Sequence, residues 1–194
     1  DLLNAQPDDI FFTSGSTEGI NLALKGLALN PNNNKKHIIT SKTEHKAVLD
    51  TCKYLEDVGF EIDYLGVSSS GLIDLDLLKS KIRPNTLLVA IMWANNETGV
   101  LQNVKDIGKI TNENETLFLC DATQAVGKID TDVIDNHIDI LVFSSHKMYG
   151  PKGIGSIYIN KEKLKENDFK PQIHGGKHQN GLRSGTLNTS GIIG

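Results

Sequence analysis

The chain has 194 residues, 38% of them hydrophobic, and a formal charge of −4, which fits one ordinary domain with a full core and excludes a disordered tail. The mildly acidic balance argues against a broad nucleic-acid footprint. No apolar run approaches the roughly 20 residues that cross a bilayer, and "DLLNAQPDDI" at the start lacks a basic-then-apolar leader, so the expected address is cytoplasmic with no membrane contact.

From the N-terminus, "FFTSGSTEGINLALKG" (11–26) joins a short apolar entry to a Gly-Ser-Thr turn and a helix with Ile20, Ala23, Leu24 and Leu27 facing inward. Such a helix start aims free amide N–H groups, helped by the helix dipole, at an anion such as phosphate. Ser16 and Thr17 would equally serve as ordinary helix caps. Neither GxxxxGK nor GxGxxG, the loops of nucleotide hydrolases and dinucleotide binders, is present. After the polar turn "NPNNNKK" (30–36), "HIIT" (37–40) reads as a strand. A helix follows over 44–58, with Val48, Cys52 and Leu55 on one stripe and Gly59 at the C-terminal cap.

"EIDYLGV" (61–67), "TLLVAIMWA" (86–94), "TLFLCDA" (116–122) and "DILVFSS" (139–145) are further strands, separated by helices that include 75–82 and 104–111. "GIGSIYIN" (153–160) follows its predecessor so closely that an antiparallel strand is expected. This alternation predicts an α/β fold with a mainly parallel sheet and helices on both faces. Cys52 and Cys120 fall in segments read as buried, so a reducing compartment is expected rather than a disulfide framework. The chain opens almost directly on a loop and helix and stops at "TSGIIG", so a piece of a longer protein is expected.

In open parallel sheets ligands bind beyond the carboxyl ends of the strands. There lie "KTEH" (42–45), "NNETG" (95–99), "DATQ" (121–124) and "SSHK" (144–147). Asp121, at the end of an apolar strand, is either a helix cap or the partner of a cation such as a protonated pyridine nitrogen. Lys147 is either a solvated charge or an amine that forms an imine with an aldehyde; the second role requires a lost proton, which desolvation and cationic neighbours favour. His45 is either a solvated helix-start residue or a flat surface for a ring and a proton shuttle. An anion cradle, a buried acid and a lysine on one rim together describe a site for pyridoxal 5'-phosphate. His174 and His178 have the spacing of a helical metal pair, but "HGGKH" is too rich in glycine to be helical, and no metal is expected there.

"FTSGSTEGINLALKG", "IITSKTEHKAVLDTC", "NNETGV", "DATQAVGKI", "SSHKMYGPKGIG" and "GLRSGTLN" resemble the motifs of NifS- and IscS-type cysteine desulfurases, in the class V aminotransferase branch of the pyridoxal phosphate enzymes. The resemblance runs in order from Ile10 to the last residue. It implies the large domain of a fold type I enzyme over 1–194, truncated at both ends, with the smaller C-terminal domain absent. Lys147 then holds the cofactor aldehyde, Asp121 pairs with the ring nitrogen, Gln124 bonds the phenolic oxygen and His45 stacks on the ring. Ser16 and Thr17 hold the phosphate through their N–H groups and the Thr17 hydroxyl, together with Ser144 and His146. Asn96 orients substrate and cofactor, and Thr186 reaches the phosphate from the other subunit of a homodimer.

The implied reaction converts L-cysteine to L-alanine, with Lys147 and His45 moving protons and the sulfur passing to an enzyme cysteine as a persulfide. Scaffold or acceptor proteins for iron–sulfur cluster assembly or tRNA thiolation are the implied partners. The acceptor cysteine and an arginine for the substrate carboxylate would lie beyond residue 194, so these residues alone are expected to be inactive; Cys52 and Cys120, on a helix and a strand, are not acceptors. Two departures stand out: Trp93 sits where relatives often have histidine or threonine, and Lys177 interrupts a glycine run. A selenocysteine lyase, another class V aminotransferase and a noncatalytic scaffold module are the alternatives.

Overall fold

The computed structural model describes residues 2–193. Seven strands form one sheet in the order β1-β7-β6-β5-β4-β2-β3. They are β1 (Ile10–Thr13), β2 (His37–Ser41), β3 (Glu61–Leu65), β4 (Thr86–Met92), β5 (Leu117–Asp121), β6 (Ile140–Ser144) and β7 (Gly155–Ile159). Strands β3, β2, β4, β5 and β6 run parallel. Strand β7 is antiparallel to β6, as its short connection predicts, and β1 closes the edge antiparallel to β7. The apolar entry at 11–13 is therefore a true strand. It is too short for its period to stand out in the sequence, and only its partner β7 defines it.

The helices α1 (Ser16–Ala28), α2 (Lys46–Asp57), α3 (Leu75–Lys81) and α4 (Val104–Glu113) cover both faces. Alternate residues of β4 divide between two cores, because side chains on a strand point to opposite faces. Leu88 and Ala90 pack with Ile20 and Leu24 of α1 and with Val48 and Leu55 of α2. Val89 and Ile91 pack with Leu78 of α3 and with Val104 and Ile107 of α4. Truncating a fully buried side chain such as Leu55 to alanine costs about 2–5 kcal/mol. Cys52 belongs to the first core and Cys120 to the second; both are free and buried.

Helix α2 ends where the sequence predicts. Gly59 takes φ +97°, its N–H donates to the Glu56 carbonyl, and the Phe60 N–H reaches back to Leu55, the paired bonds of a left-handed glycine cap. The helix begins at Lys46, two residues later than predicted, because His45 caps it. Strand β4 ends at Met92, short of residue 94, because the chain leaves the ladder there and Ala94 bridges back to Leu101. Among the described residues no helix is long and apolar enough to cross a membrane.

Candidate active site

A cavity of about 420 Å³ opens at the carboxyl ends of β4, β5 and β6, facing the start of α1. One side is built by the turn after β1. Gly15 is the N-cap of α1 and no side chain caps the helix, so Ser16 and Thr17 are not spent on capping. The first-turn amides of α1 have no intrahelical acceptor, and Ser16 and Thr17 line the cavity. This turn lies against β7 so closely that a Cβ on Gly155 would stand 2.5 Å from the Gly15 Cα. Any side chain at 155 would push the cradle out of place.

The opposite wall is Asp121, the last residue of β5, only 6% exposed. Burial raises its carboxyl above the usual range, partly offset by hydrogen bonds from Thr123 and by the nearby His45. The Thr123 N–H donates to Oδ1 at 3.0 Å, and the Thr123 hydroxyl also contacts that oxygen. The same hydroxyl lies 2.6 Å from Ser16 Oγ. A hydroxyl has one proton; with it directed at the carboxylate, Thr123 accepts from Ser16 and links the cradle to the acid. No lysine or arginine among the described residues lies within ion-pair distance of Asp121.

His45 lines the cavity at the mouth of α2, and its Nδ1 accepts the Ala47 N–H at 3.1 Å. That bond requires an unprotonated Nδ1, so the neutral ring carries its proton on Nε2. His45 thus caps the helix and also lines the cavity. Lys147 ends the one-turn 3₁₀ helix Ser145–Lys147 directly after β6 and is exposed. The burial expected for its amine is therefore not supplied within this chain, because the turn projects it past the strand end; its basic neighbours His146 and Lys152 do share the cavity. Ser144 is buried, with Oγ 2.8 Å from His146 Nδ1.

Gln124 also lines the cavity; Lys128 donates to its Oε1 at 2.8 Å, and the amide nitrogen remains available as a donor. Asn96 reaches the cavity from a turn organised by its neighbour. Asn95 Oδ1 accepts the N–H groups of Glu97 and Thr98, and its Nδ2 donates to the Thr43 carbonyl. Thr186 is exposed and does not line this cavity. Trp93 turns away: Met92 and Ala94 line the cavity, whereas Trp93 is buried in the second core. The segment 174–178 is turn rather than helix, with Gly175 and Gly176 at positive φ, and Lys177 shares that conformation at φ +52°. Both thiols are remote from reactivity, since burial pushes Cys52 up to about 12 and Cys120 well above the usual range.

Four contributors are not singled out by the sequence reading. Thr123 and Asn95 are small polar residues in turns, and nothing in their spacing marks the bonds they make. Glu44, beside His45, is not singled out by the sequence within "KTEH" and is buried. Glu18 also lines the cavity, with its charge already matched: Arg183 Nε donates to Oε1 at 2.7 Å and Nη2 to Oε2 at 3.3 Å. Burial alone would raise Glu18, but hydrogen bonds from Arg183 and Ser14 outweigh it and hold the carboxyl below the usual range.

The residues present fit a phosphorylated pyridine aldehyde. A buried carboxylate without a cation suits a protonated ring nitrogen, uncapped amides suit a phosphate, and an amine stands on the same cavity. The aminotransferase class-V family profile matches residues 1–194. Cysteine desulfurase IscS of Neisseria meningitidis serogroup A is 53% identical over 193 residues, covering 100% of this chain and 47% of that protein. The mitochondrial cysteine desulfurase of Candida albicans is 54% identical over 187 residues, covering 96% of this chain and 38% of that protein. Among solved structures, SspA in complex with cysteine superposes with a TM-score of 0.94 at 46% identity, over 100% of this chain and 55% of that one. The chain spans about half the length of the curated relatives it matches.

Proposed function

The chain belongs to the aminotransferase class-V family, and from that premise we propose that it is the large, cofactor-binding domain of a pyridoxal phosphate-dependent cysteine desulfurase. The observation that carries this reading is the convergence of Lys147, Asp121 and the uncapped start of α1 on one cavity. Bound pyridoxal phosphate supplies an aldehyde for an amine and an electron-withdrawing ring that eases removal of protons from an attached amino acid. Ser16 and Thr17 hold its phosphate through their amides and the Thr17 hydroxyl, with Ser144 and His146 beside them. Asp121 holds the proton on the ring nitrogen, and Gln124 donates its side-chain N–H to the phenolic oxygen.

His45 covers the ring face and presents Nε2–H to the substrate side. Lys147 would hold the aldehyde through Nζ and, when that amine is free, would take and return protons at the same atom. Asn96 orients the substrate, which we infer to be L-cysteine. The C–S bond of cysteine breaks, an acceptor cysteine thiol forms an S–S bond to that sulfur, and the products are L-alanine and a persulfide. Cys52 and Cys120 are too deeply buried for this role, so the acceptor belongs to sequence outside these residues. Thr186, exposed and away from the cavity, fits a role across a homodimer. Cytoplasmic sulfur delivery to cluster-assembly or tRNA-thiolation partners completes the proposal.

The test uses the full-length protein. We expect a near-visible absorbance band that borohydride abolishes and that Lys147→Ala lacks, together with alanine and transferable sulfur from L-cysteine. Formation of pyruvate or glutamate without sulfide overturns the desulfurase assignment.

A further inference from the structure

Glu44 stands one residue before His45 but takes no part in the chemistry above. Its residue is 6% exposed. One oxygen, Oε1, accepts both the Ser41 hydroxyl at 2.8 Å and the Met92 N–H at 3.0 Å. Ser41 ends β2 and Met92 ends β4. The parallel ladder between these strands stops at the Thr40 and Ala90 pair, so Oε1 joins them just where backbone pairing has run out. The second oxygen, Oε2, is enclosed without a hydrogen-bond partner among the described residues.

The titratable groups around this carboxyl are Asp121 and Cys120 from β5, and Cys52 and His45 from α2 and its cap. No lysine or arginine among the described residues lies within ion-pair distance of it. An anion there would have no matching cation.

We propose that Glu44 is a positioning residue: its carboxyl fastens the ends of β2 and β4 beneath the cavity and so fixes where His45 stands relative to Asp121. The inference rests on the cofactor reading above in one respect, that His45 and Asp121 contact the same ring. Burial, opposed by the bonds from Met92 and Ser41 and reinforced by Asp121, pushes Glu44 up to about 8. Burial thus favours the neutral acid at Glu44 near neutral pH, which spares Asp121 a like charge beside it.

The experiment compares full-length wild type, Glu44→Gln and Glu44→Ala. Glutamine keeps the oxygen that accepts from Ser41 and Met92 and cannot ionise; alanine removes the clamp. In the cofactor-free protein the raised folded value means that Glu44's contribution to stability is complete below pH 4.5 and is lost as pH rises through about 8. The urea midpoint of wild type should fall across that window relative to Glu44→Gln, and superimposable profiles would overturn the proposal. With pyridoxal phosphate added, Glu44→Gln should bind within about twofold of wild type. Glu44→Ala should bind about tenfold more weakly, with the pH midpoint of its visible band displaced by about half a unit. An alanine variant with unchanged affinity and unchanged band also overturns it. If wild type takes up no pyridoxal phosphate, the functional reading fails instead; the clamp is then decided by NMR titration of the His45 ring in cofactor-free protein, which must move in Glu44→Ala and hold in Glu44→Gln.

Discussion

At the amino ends of the strands, His37 is enclosed with Nδ1 2.9 Å from Thr86 Oγ1 and Nε2 3.3 Å from Asp63 Oδ2. Asp139, just before β6, accepts the Phe118 N–H at 2.9 Å. At the carboxyl ends, Asp121 is buried with hydrogen bonds from Thr123 and with the cap histidine and the Glu44 carboxyl nearby. These amino-end groups line no part of the cavity. The rim carboxylate, although it too accepts from Thr123, borders it. The contrast separates buried polar groups away from the cavity from one that a partner from outside can still reach; an unmatched buried charge costs several kcal/mol, and such a partner offsets it.

Removing a rim charge is the most severe way to test this difference. Asp121→Asn leaves the shape but not the charge, and should lower the activity proposed for the full-length protein by about 10²–10³-fold, the scale of losing one partner of a buried charge pair. Steady-state alanine production measures it; an activity within a few fold of wild type would break the comparison.

At the other end, Asp139 should matter for stability rather than catalysis. Burial pushes it up to about 6 from 3.8, so its stabilising contribution is complete below pH 3.8 and is lost as pH rises through 6. Asp139→Asn should therefore be more stable than wild type by about 2 kcal/mol at pH 7, with the gap closing near pH 4. Urea denaturation at the two pH values measures it.

The cavity edge offers a smaller effect. Arg183→Ala removes both bonds to Glu18 and frees the segment that carries Thr186; a loss of about 1–2 kcal/mol is expected, seen as a lower melting temperature and faster proteolysis near residue 183. Smallest of all, Lys177→Gly relieves a non-glycine residue at φ +52°, and should add about 1 kcal/mol in the same melting assay.

Most of the rim was legible in the sequence because its chemistry sits in the first residues after apolar runs. Asp121, Gln124, Ser144 and Lys147 need only the strand to be recognised for their place to follow. Ser16 and Thr17 were ambiguous between cap and cradle until the structure placed Gly15 at the N-cap. Trp93, a departure from its relatives, is kept out of the cavity by the alternation of side chains past β4. Glu44 was illegible: nothing in "KTEH" sets it apart from its polar neighbours, and its burial comes from groups such as Ser41 and Met92 that pack on it in the fold.

By itself the amino-acid order determined the layered α/β class, the parallel strands, the cap of α2 and the residue types at each strand end, since each depends on local period and backbone preference. Tertiary structure alone decided which ends meet, that β1 pairs with β7, that Thr123 joins Ser16 to Asp121, and that one acid of "KTEH" lies inside while the next residue faces the cavity. Burial is a property of what packs from elsewhere in the chain, and no local pattern encodes it.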